Sequence, residues 1–90
     1  MNSDIYSKTE KLCENYLRDD ISLKDFQFQL ETVLGSFDAM NKTDVEELRK
    51  IINQLEIIIY TTPESSQINE VNQLIPKIFR YVENKMTNPS

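Results

Sequence analysis

The chain has 90 residues, with 15 acidic and 10 basic side chains, a net charge of −5 and no histidine. This length suits one domain, expected to span residues 1–90, and the acidic balance disfavours nucleic acid and anionic membranes, which are bound through Lys and Arg. The missing histidine removes the commonest general base and metal ligand, and a lone glycine excludes a glycine-rich phosphate loop, so we expect a binding protein and not an enzyme.

The first predicted helix runs from about Asp4 to Arg18, with Ser3 as a candidate N-cap. Asp19 and Asp20 end it. Its inward positions, at helical spacing, are Ile5, Thr9, Leu12, Cys13, Tyr16 and Leu17.

The second predicted helix begins at Ser22, whose hydroxyl can cap it, and Asp25 suits the positive helix start. We expect it to fray between Gly35 and Met40. Its inward positions are Leu23, Phe26, Leu30, Val33, Leu34 and Phe37.

The third predicted helix begins at a capping box, in which the Thr43 hydroxyl and the Glu46 carboxylate satisfy free backbone N–H groups reciprocally. Its wide apolar stripe is typical of the central helix of a bundle. The stripe comprises Val45, Leu48, Ile51, Ile52, Leu55, Ile58 and Ile59.

The fourth predicted helix opens at Thr62-Pro63, with Ser66 as a second candidate cap. Pro76 falls on its polar side, where we expect a kink and not a break, and 88–90 form a frayed tail. Its inward positions are Ile68, Val71, Leu74, Ile75, Ile78, Phe79, Val82 and Met86.

These elements predict an all-α fold, an antiparallel up-down four-helix bundle, because short connections make sequential helices run in opposite directions. The charge along it is uneven, since residues 76–90 hold three basic side chains and one acidic one. We interpret that basic stretch as compensation of the helix dipole.

Carboxylate pairs are the remaining route to metal chemistry. Glu10 with Glu14, and Asp44 with Glu47, could each share a metal ion, but a carboxylate-only Mg²⁺ site usually needs about four converging acids. We interpret the pairs as solvated helix surface and Cys13 as a small buried hydrophobe. The expectation is no catalytic residue, no metal and no cofactor.

The N-terminal residues lack the basic start and apolar run of a signal peptide, and the longest apolar run, 57–60, is too short to cross a bilayer. We therefore expect a cytoplasmic protein.

Two apolar residues fall opposite the inward stripes. Phe28 lies near Lys24 and Glu31 on the second helix, and Ile57 is flanked by Tyr60 on the third. They either pack within the bundle or form exposed anchors rimmed by polar groups, as binding sites do.

In an antiparallel bundle, the first and third turns lie at the same end. No Lys or Arg occurs in 19–23 or in 51–76, so this end is acidic. It is a predicted partner-binding surface, although solubility would also explain its acids. The surface comprises Asp19, Asp20, Asp25, Glu56, Ile57, Tyr60 and Glu64.

The capped start Ile21-Ser22-Leu23-Lys24-Asp25-Phe26, the segment Asp44-Val45-Glu46-Glu47-Leu48, and Leu55-Glu56-Ile57-Ile58-Ile59-Tyr60-Thr61-Thr62-Pro63 follow one another along the chain. This layout resembles the four-helix immunity proteins of nuclease bacteriocins and contact-dependent toxins. Colicin-type members carry a paired-tyrosine motif on a short third helix. In place of the tyrosine pair this chain has a single tyrosine, Tyr60, and its third predicted helix is long. The residue correspondence is therefore limited to Tyr60 and its acidic neighbours.

The resemblance implies an inhibitor that blocks the basic active or substrate-binding surface of a cognate protein toxin, with acidic side chains in place of substrate phosphates. The alternative is a homodimeric helical regulatory or adaptor module, which would associate through Phe28 and Ile57.

Overall fold

Four α-helices make up the secondary structure of the computed structural model, which describes residues 2–37 and 40–87. They are α1 (Asn2–Leu17), α2 (Leu23–Leu34), α3 (Lys42–Thr61) and α4 (Glu64–Thr87). Each packs against two others, in a ring that runs from α1 to α2, α3, α4 and back to α1. The described residues therefore form the predicted all-helical bundle, which measures 41 × 23 × 18 Å.

The core is built from the inward stripes of all four helices. Thr9 on α1 is a buried polar residue, and its hydroxyl donates to the Ile5 carbonyl at 2.7 Å, so its burial leaves no unmet hydrogen-bond donor. The apolar side chains with the least exposure are Phe26, Leu30, Leu34, Leu55, Val71, Ile78 and Val82.

Three residues that we predicted to point inward are exposed, namely Leu17, Val45 and Ile68. All three lie within five residues of a helix end. At these three positions the neighbouring helices do not cover the side chain fully. Tyr81, which was absent from the predicted stripe, is buried and packs edge-on against Phe37 with ring centroids 6.1 Å apart.

The start of α2 follows the prediction, since the Ser22 hydroxyl accepts a hydrogen bond from the Asp25 backbone N–H at 3.1 Å. The predicted cap of α1 was wrong, because α1 begins at Asn2 and already contains Ser3. Helix α2 ends at Leu34, and Gly35 closes its last turn by donating to the Glu31 carbonyl. Of the stretch expected to fray, residues 38 and 39 lie outside the described residues.

The predicted capping box of α3 was shifted by two residues. Asn41 is the N-cap: its side chain accepts from the Asp44 N–H at 2.8 Å, and Asp44 accepts from the Asn41 N–H at 3.1 Å. Thr43 lies inside the first turn, so its hydroxyl does not cap the helix. Asn is at least as favourable as Thr at this position.

Helix α4 begins at Glu64, directly after Pro63, and contains Ser66, so Ser66 is not the cap. The helix continues unbroken through Pro76 to Thr87. The predicted tail, 88–90, lies outside the described residues.

Candidate partner-binding surface

Ile57 and Tyr60 face solvent near the end of α3. Their exposed fractions are 59% and 71%, although both side chains are large and apolar in part. They are three residues apart on a helix, which makes them neighbours on its surface. The pair therefore forms one contiguous apolar area outside the core.

Carboxylates flank this apolar pair. Glu56 lies one turn before Tyr60 on α3, and Glu64 is the first residue of α4, three residues after Thr61 ends α3. Both glutamates are exposed. We call Glu56, Ile57, Tyr60 and Glu64 the anchor patch. The apolar side chains of the patch offer surface that a partner can bury, and its two carboxylates add negative charge.

Asp19 and Asp20 occupy the connection between α1 and α2, and both are exposed. The Asp20 N–H donates to the Asn15 carbonyl at 2.8 Å and the Asp19 N–H to the Tyr16 carbonyl at 3.0 Å. These two bonds form a Schellman motif, and Asp19 takes the left-handed position, with φ of 65°, that glycine usually fills. The local sequence had indicated a helix end there, but not this backbone conformation.

Two local preferences are broken at this helix end. The left-handed region is less favourable for any residue with a β-carbon than for glycine, although aspartate adopts it more readily than most. A negative charge is also unfavourable beside the negative C-terminal end of a helix. The charge of Asp19 also acts on the core, since burial and then this carboxylate raise the pKa of Tyr16. Asp25 and Glu64 differ, because acids in the first turn of a helix are favourable.

The seven predicted partner-binding residues thus belong to two connections of the bundle. Glu56, Ile57, Tyr60 and Glu64 surround the connection between α3 and α4, whereas the three aspartates surround the one between α1 and α2. Burial of the aromatic pair Tyr16 and Phe26, whose ring centroids are 5.2 Å apart, ties α1 to α2 near the aspartates.

Phe28, the other apolar residue predicted to fall off the core stripe, is 71% exposed on α2. The residue one turn later, Thr32, donates its hydroxyl hydrogen to the Phe28 carbonyl at 3.2 Å. An exposed phenyl ring of this kind is a second place where a partner could dock.

A groove of about 500 Å³ lies between α3 and α4 and did not emerge from the sequence. Half of its lining residues are charged, namely Asp44, Glu47 and Lys50 from α3 and Lys77, Arg80 and Lys85 from α4. The signal that pointed to it was the basic stretch 76–90, which we had assigned to helix-dipole compensation. We call this feature the α3–α4 groove.

One end of the α3–α4 groove is closed by an ion pair. Lys85 Nζ lies 2.6 Å from Asp44 Oδ2, and both side chains are largely buried. The hydrogen bond from Lys85 is the main cause that lowers the pKa of Asp44, against the opposing effect of burial. Beside them the hydroxyl of Tyr81 is buried with no hydrogen-bond partner among the described residues, and burial raises its pKa to about 12.

The opposite end of the groove leads to the anchor patch. A shallower depression of about 240 Å³ shares Gln54 and Lys77 with the α3–α4 groove, and its other lining residues are Ile57, Ile58, Glu70, Gln73 and Leu74. A polar surface and an apolar one are therefore continuous along the face formed by α3 and α4.

Cys13 is buried in the core, as predicted, and burial raises the pKa of its thiol to about 11. A thiol is unreactive in that state, because the thiolate is the nucleophile. Among residues 2–37 and 40–87, no three side chains of the metal-binding types are grouped to hold an ion, and no described helix has the length and apolar character to cross a membrane.

Searches of family models, curated proteins and solved structures found no match to this chain.

Proposed function

We propose that this chain is an immunity protein that binds a cognate bacterial toxin in the cytoplasm and neutralises it by covering its basic active or substrate-binding surface. The observation that carries the proposal is the anchor patch, where Ile57 and Tyr60 are 59% and 71% exposed and the exposed glutamates Glu56 and Glu64 are close to them along the chain. An aliphatic and an aromatic anchor inside a polar rim are typical of binding hot spots.

The two parts of the anchor patch have different tasks in this proposal. Burial of Ile57 and Tyr60 against the toxin supplies most of the affinity. Glu56 and Glu64, with the net charge of −5, attract a basic surface and speed encounter. The carboxylates occupy the places where a nuclease toxin would hold substrate phosphates.

The proposal takes the helices to alternate in direction, so that the α1–α2 and α3–α4 connections meet at the same end. Two contacts support this order. Tyr16 at the end of α1 packs on Phe26 at the start of α2, and Asp44 at the start of α3 pairs with Lys85 at the end of α4. The proposal also includes a bend of α4 at Pro76, which has no N–H for the helical hydrogen bond.

In this arrangement Asp19 and Asp20 extend the acidic rim of the anchor patch. The left-handed backbone and the unfavourable charge of Asp19 at the end of α1 support a role for this residue, because local rules tend to be broken where a function requires it. Solubility alone does not need an aspartate in a left-handed conformation, since the same charge fits elsewhere on the surface.

We take the chain to act by binding and not by catalysis. It has no histidine, and its cysteine is held as a neutral thiol in the core. Occlusion of a toxin needs neither group.

The test replaces Ile57 by Asp and Tyr60 by Ala in one chain. The probe is the large protein with a basic C-terminal domain that we expect the adjacent reading frame to encode. Both side chains are exposed, so the helical circular dichroism should persist, while the affinity measured by calorimetry should fall by on the order of a hundredfold or more. Unchanged affinity in a folded variant would remove the anchor patch from the interface.

Phe28→Ala is the matched control for Tyr60→Ala, since both rings are 71% exposed. The control should bind the toxin as the unaltered chain does. An equal loss in both variants would point to a general effect of removing surface aromatics.

A second candidate function, a homodimeric regulatory or adaptor module, is favoured by the exposure of Phe28 on α2 together with that of Ile57 on α3. Light scattering on the purified chain distinguishes it. A dimer at micromolar concentration that Phe28→Asp converts to a monomer would support this function, and a monomer would contradict it.

A further inference from the structure

Basic side chains concentrate in the α3–α4 groove of an otherwise acidic molecule. Lys77 and Arg80 are three residues apart on α4 and therefore neighbours, and Lys50 lines the groove from α3. All three are exposed. The groove therefore carries the opposite sign of charge to the anchor patch.

The charges at the groove are unequally compensated. Lys85 is paired with Asp44 at 2.6 Å, and Lys50 lies 3.6 Å from Glu47. Within residues 2–37 and 40–87, Lys77 and Arg80 form no salt bridge. Two adjacent cations are thus available to a ligand that supplies carboxylates or phosphates.

The groove has an apolar end as well. Lys77 and Gln54 belong both to the polar groove and to the depression whose apolar lining is Ile57, Ile58 and Leu74. Glu70 and Gln73 also line that depression, so a ligand's carboxylates are assigned to the Lys77 and Arg80 end and its apolar side chain to the Ile57 end. From Asn41 to Ile57 the combined surface extends roughly 24 Å along α3, at 1.5 Å per residue. That length matches an extended segment of about seven residues and exceeds a single anion.

We propose that the α3–α4 groove binds an acidic segment of the toxin, with carboxylates on Lys77 and Arg80 and a following apolar side chain beside Ile57. This inference rests on the proposed function, and charge complementarity is what favours a protein segment of this kind. The toxin then presents a basic surface to the anchor patch and an acidic one to the groove. Two contacts of opposite sign fix a single docking orientation, because a reversed toxin would meet like charges.

The experiment uses the full chain without the toxin, so that it can fail independently of the proposed function. The probe is a synthetic peptide of about seven residues, acidic at its start and ending in two leucines, and the controls are its all-lysine counterpart and inorganic phosphate. Amide shifts of the chain are followed by NMR at low salt. The acidic peptide should shift the amides of Lys77, Arg80 and Ile57 at low-millimolar concentration, and the lysine peptide should not.

Two variants locate the binding. Lys77→Glu with Arg80→Glu should weaken binding of the peptide by on the order of tenfold or more. The charge-matched control, Lys8→Glu with Lys11→Glu on α1, should change the affinity much less, because both of its cations lie outside the groove. All the replaced cations are exposed, so both variants should fold, which circular dichroism checks. Absent shifts, equal shifts with the lysine peptide, or stronger binding of phosphate alone would each overturn the proposal.

The same spectra test a second copy of the chain as the occupant. Shifts at Lys77 and Arg80 that grow with protein concentration in the absence of peptide, together with shifts at Glu56 and Glu64, would assign the groove to self-association and overturn the assignment to a toxin segment. The two proposals can also be separated. If Ile57→Asp with Tyr60→Ala loses toxin binding while the unaltered chain does not bind the peptide, the anchor patch is supported and the groove is rejected.

Discussion

Lys85, in the last turn of α4, donates a hydrogen bond to the carboxylate of Asp44, in the first turn of α3, with Nζ and Oδ2 2.6 Å apart. The same oxygen of Asp44 accepts from the Asn41 N–H, and the Lys85 ammonium lies 6.0 Å from the centre of the Phe37 ring. The Asp44 carboxylate thus joins the cap of α3 to the end of α4, and the ammonium that it binds also lies over the Phe37 ring, beyond the end of α2.

Lys85→Met should destabilise the fold by about 1.5–3 kcal/mol, because it leaves a largely buried carboxylate without its charged donor. Urea unfolding at neutral pH measures the loss. Lys50→Met is the matched control: its ion pair with Glu47 is exposed, 3.6 Å long and expected to contribute under about 1 kcal/mol. Equal losses in the two variants would show that burial does not strengthen the Lys85 pair.

The free energy of unfolding should depend on pH below neutrality because of the Asp44 carboxylate. Its pKa is lowered in the folded protein, mainly by the Lys85 hydrogen bond, from an ordinary value of 3.8. A lowered folded pKa gives a stabilisation that is fully present above 3.8 and is lost as pH falls through the lower folded pKa. Asp44→Asn should therefore be less stable than the unaltered chain at pH 7, and the difference should shrink below pH 3.8.

Urea unfolding of both chains across this range checks the prediction. Glu47→Gln is the control, because its carboxylate is exposed and should change stability little at either pH. A difference for Asp44→Asn that stays constant down to the lowest pH would contradict the assigned role of its charge.

Asp19→Gly should stabilise the fold by roughly 1 kcal/mol, since glycine adopts a φ of 65° without strain and the charge beside the end of α1 disappears. Asp20→Gly has no positive φ to relieve and should be neutral or mildly destabilising. Thermal unfolding compares them. Under the proposed function, Asp19→Gly also slows association with the toxin, so stability and binding change in opposite directions.

Tyr81→Phe should be neutral or stabilising by up to about 1 kcal/mol, because the hydroxyl it removes is buried without a hydrogen-bond partner among the described residues. Tyr60→Phe, which removes an exposed hydroxyl, is the control and should have no effect on urea unfolding. A clear loss of stability for Tyr81→Phe alone would mean that the buried hydroxyl is hydrogen-bonded in solution.

Periodicity in the sequence predicted the four helices, most of the core and the outward direction of Ile57 and Phe28, because each depends on spacing within one helix. The start of α3 was harder, since Asn41 with Asp44 and Thr43 with Glu46 are overlapping cap patterns. The choice between them involves Lys85, which lies 41 positions after Asp44 in the sequence and bonds to it. Local patterns contain no such information.

The α3–α4 groove could not be predicted for the same reason. Helical spacing shows that Lys77 and Arg80 share a face of α4, but not which residues of α3 stand opposite. The burial of Tyr81 likewise depends on Phe37, which reaches it from beyond the end of α2. Spacing in the sequence therefore predicts which face of each helix is buried, but not which residues of two helices contact each other.

The burial of Cys13 gives the protein a built-in reporter of its own opening. The chain has one cysteine, 5% exposed and held as a thiol by a pKa of about 11. A thiol reagent can reach it only after α1 separates from its neighbours, so the labelling rate follows that separation. A partner that binds the folded bundle stabilises it against this opening. Slower labelling in the presence of the partner would therefore measure that stabilisation without any added probe.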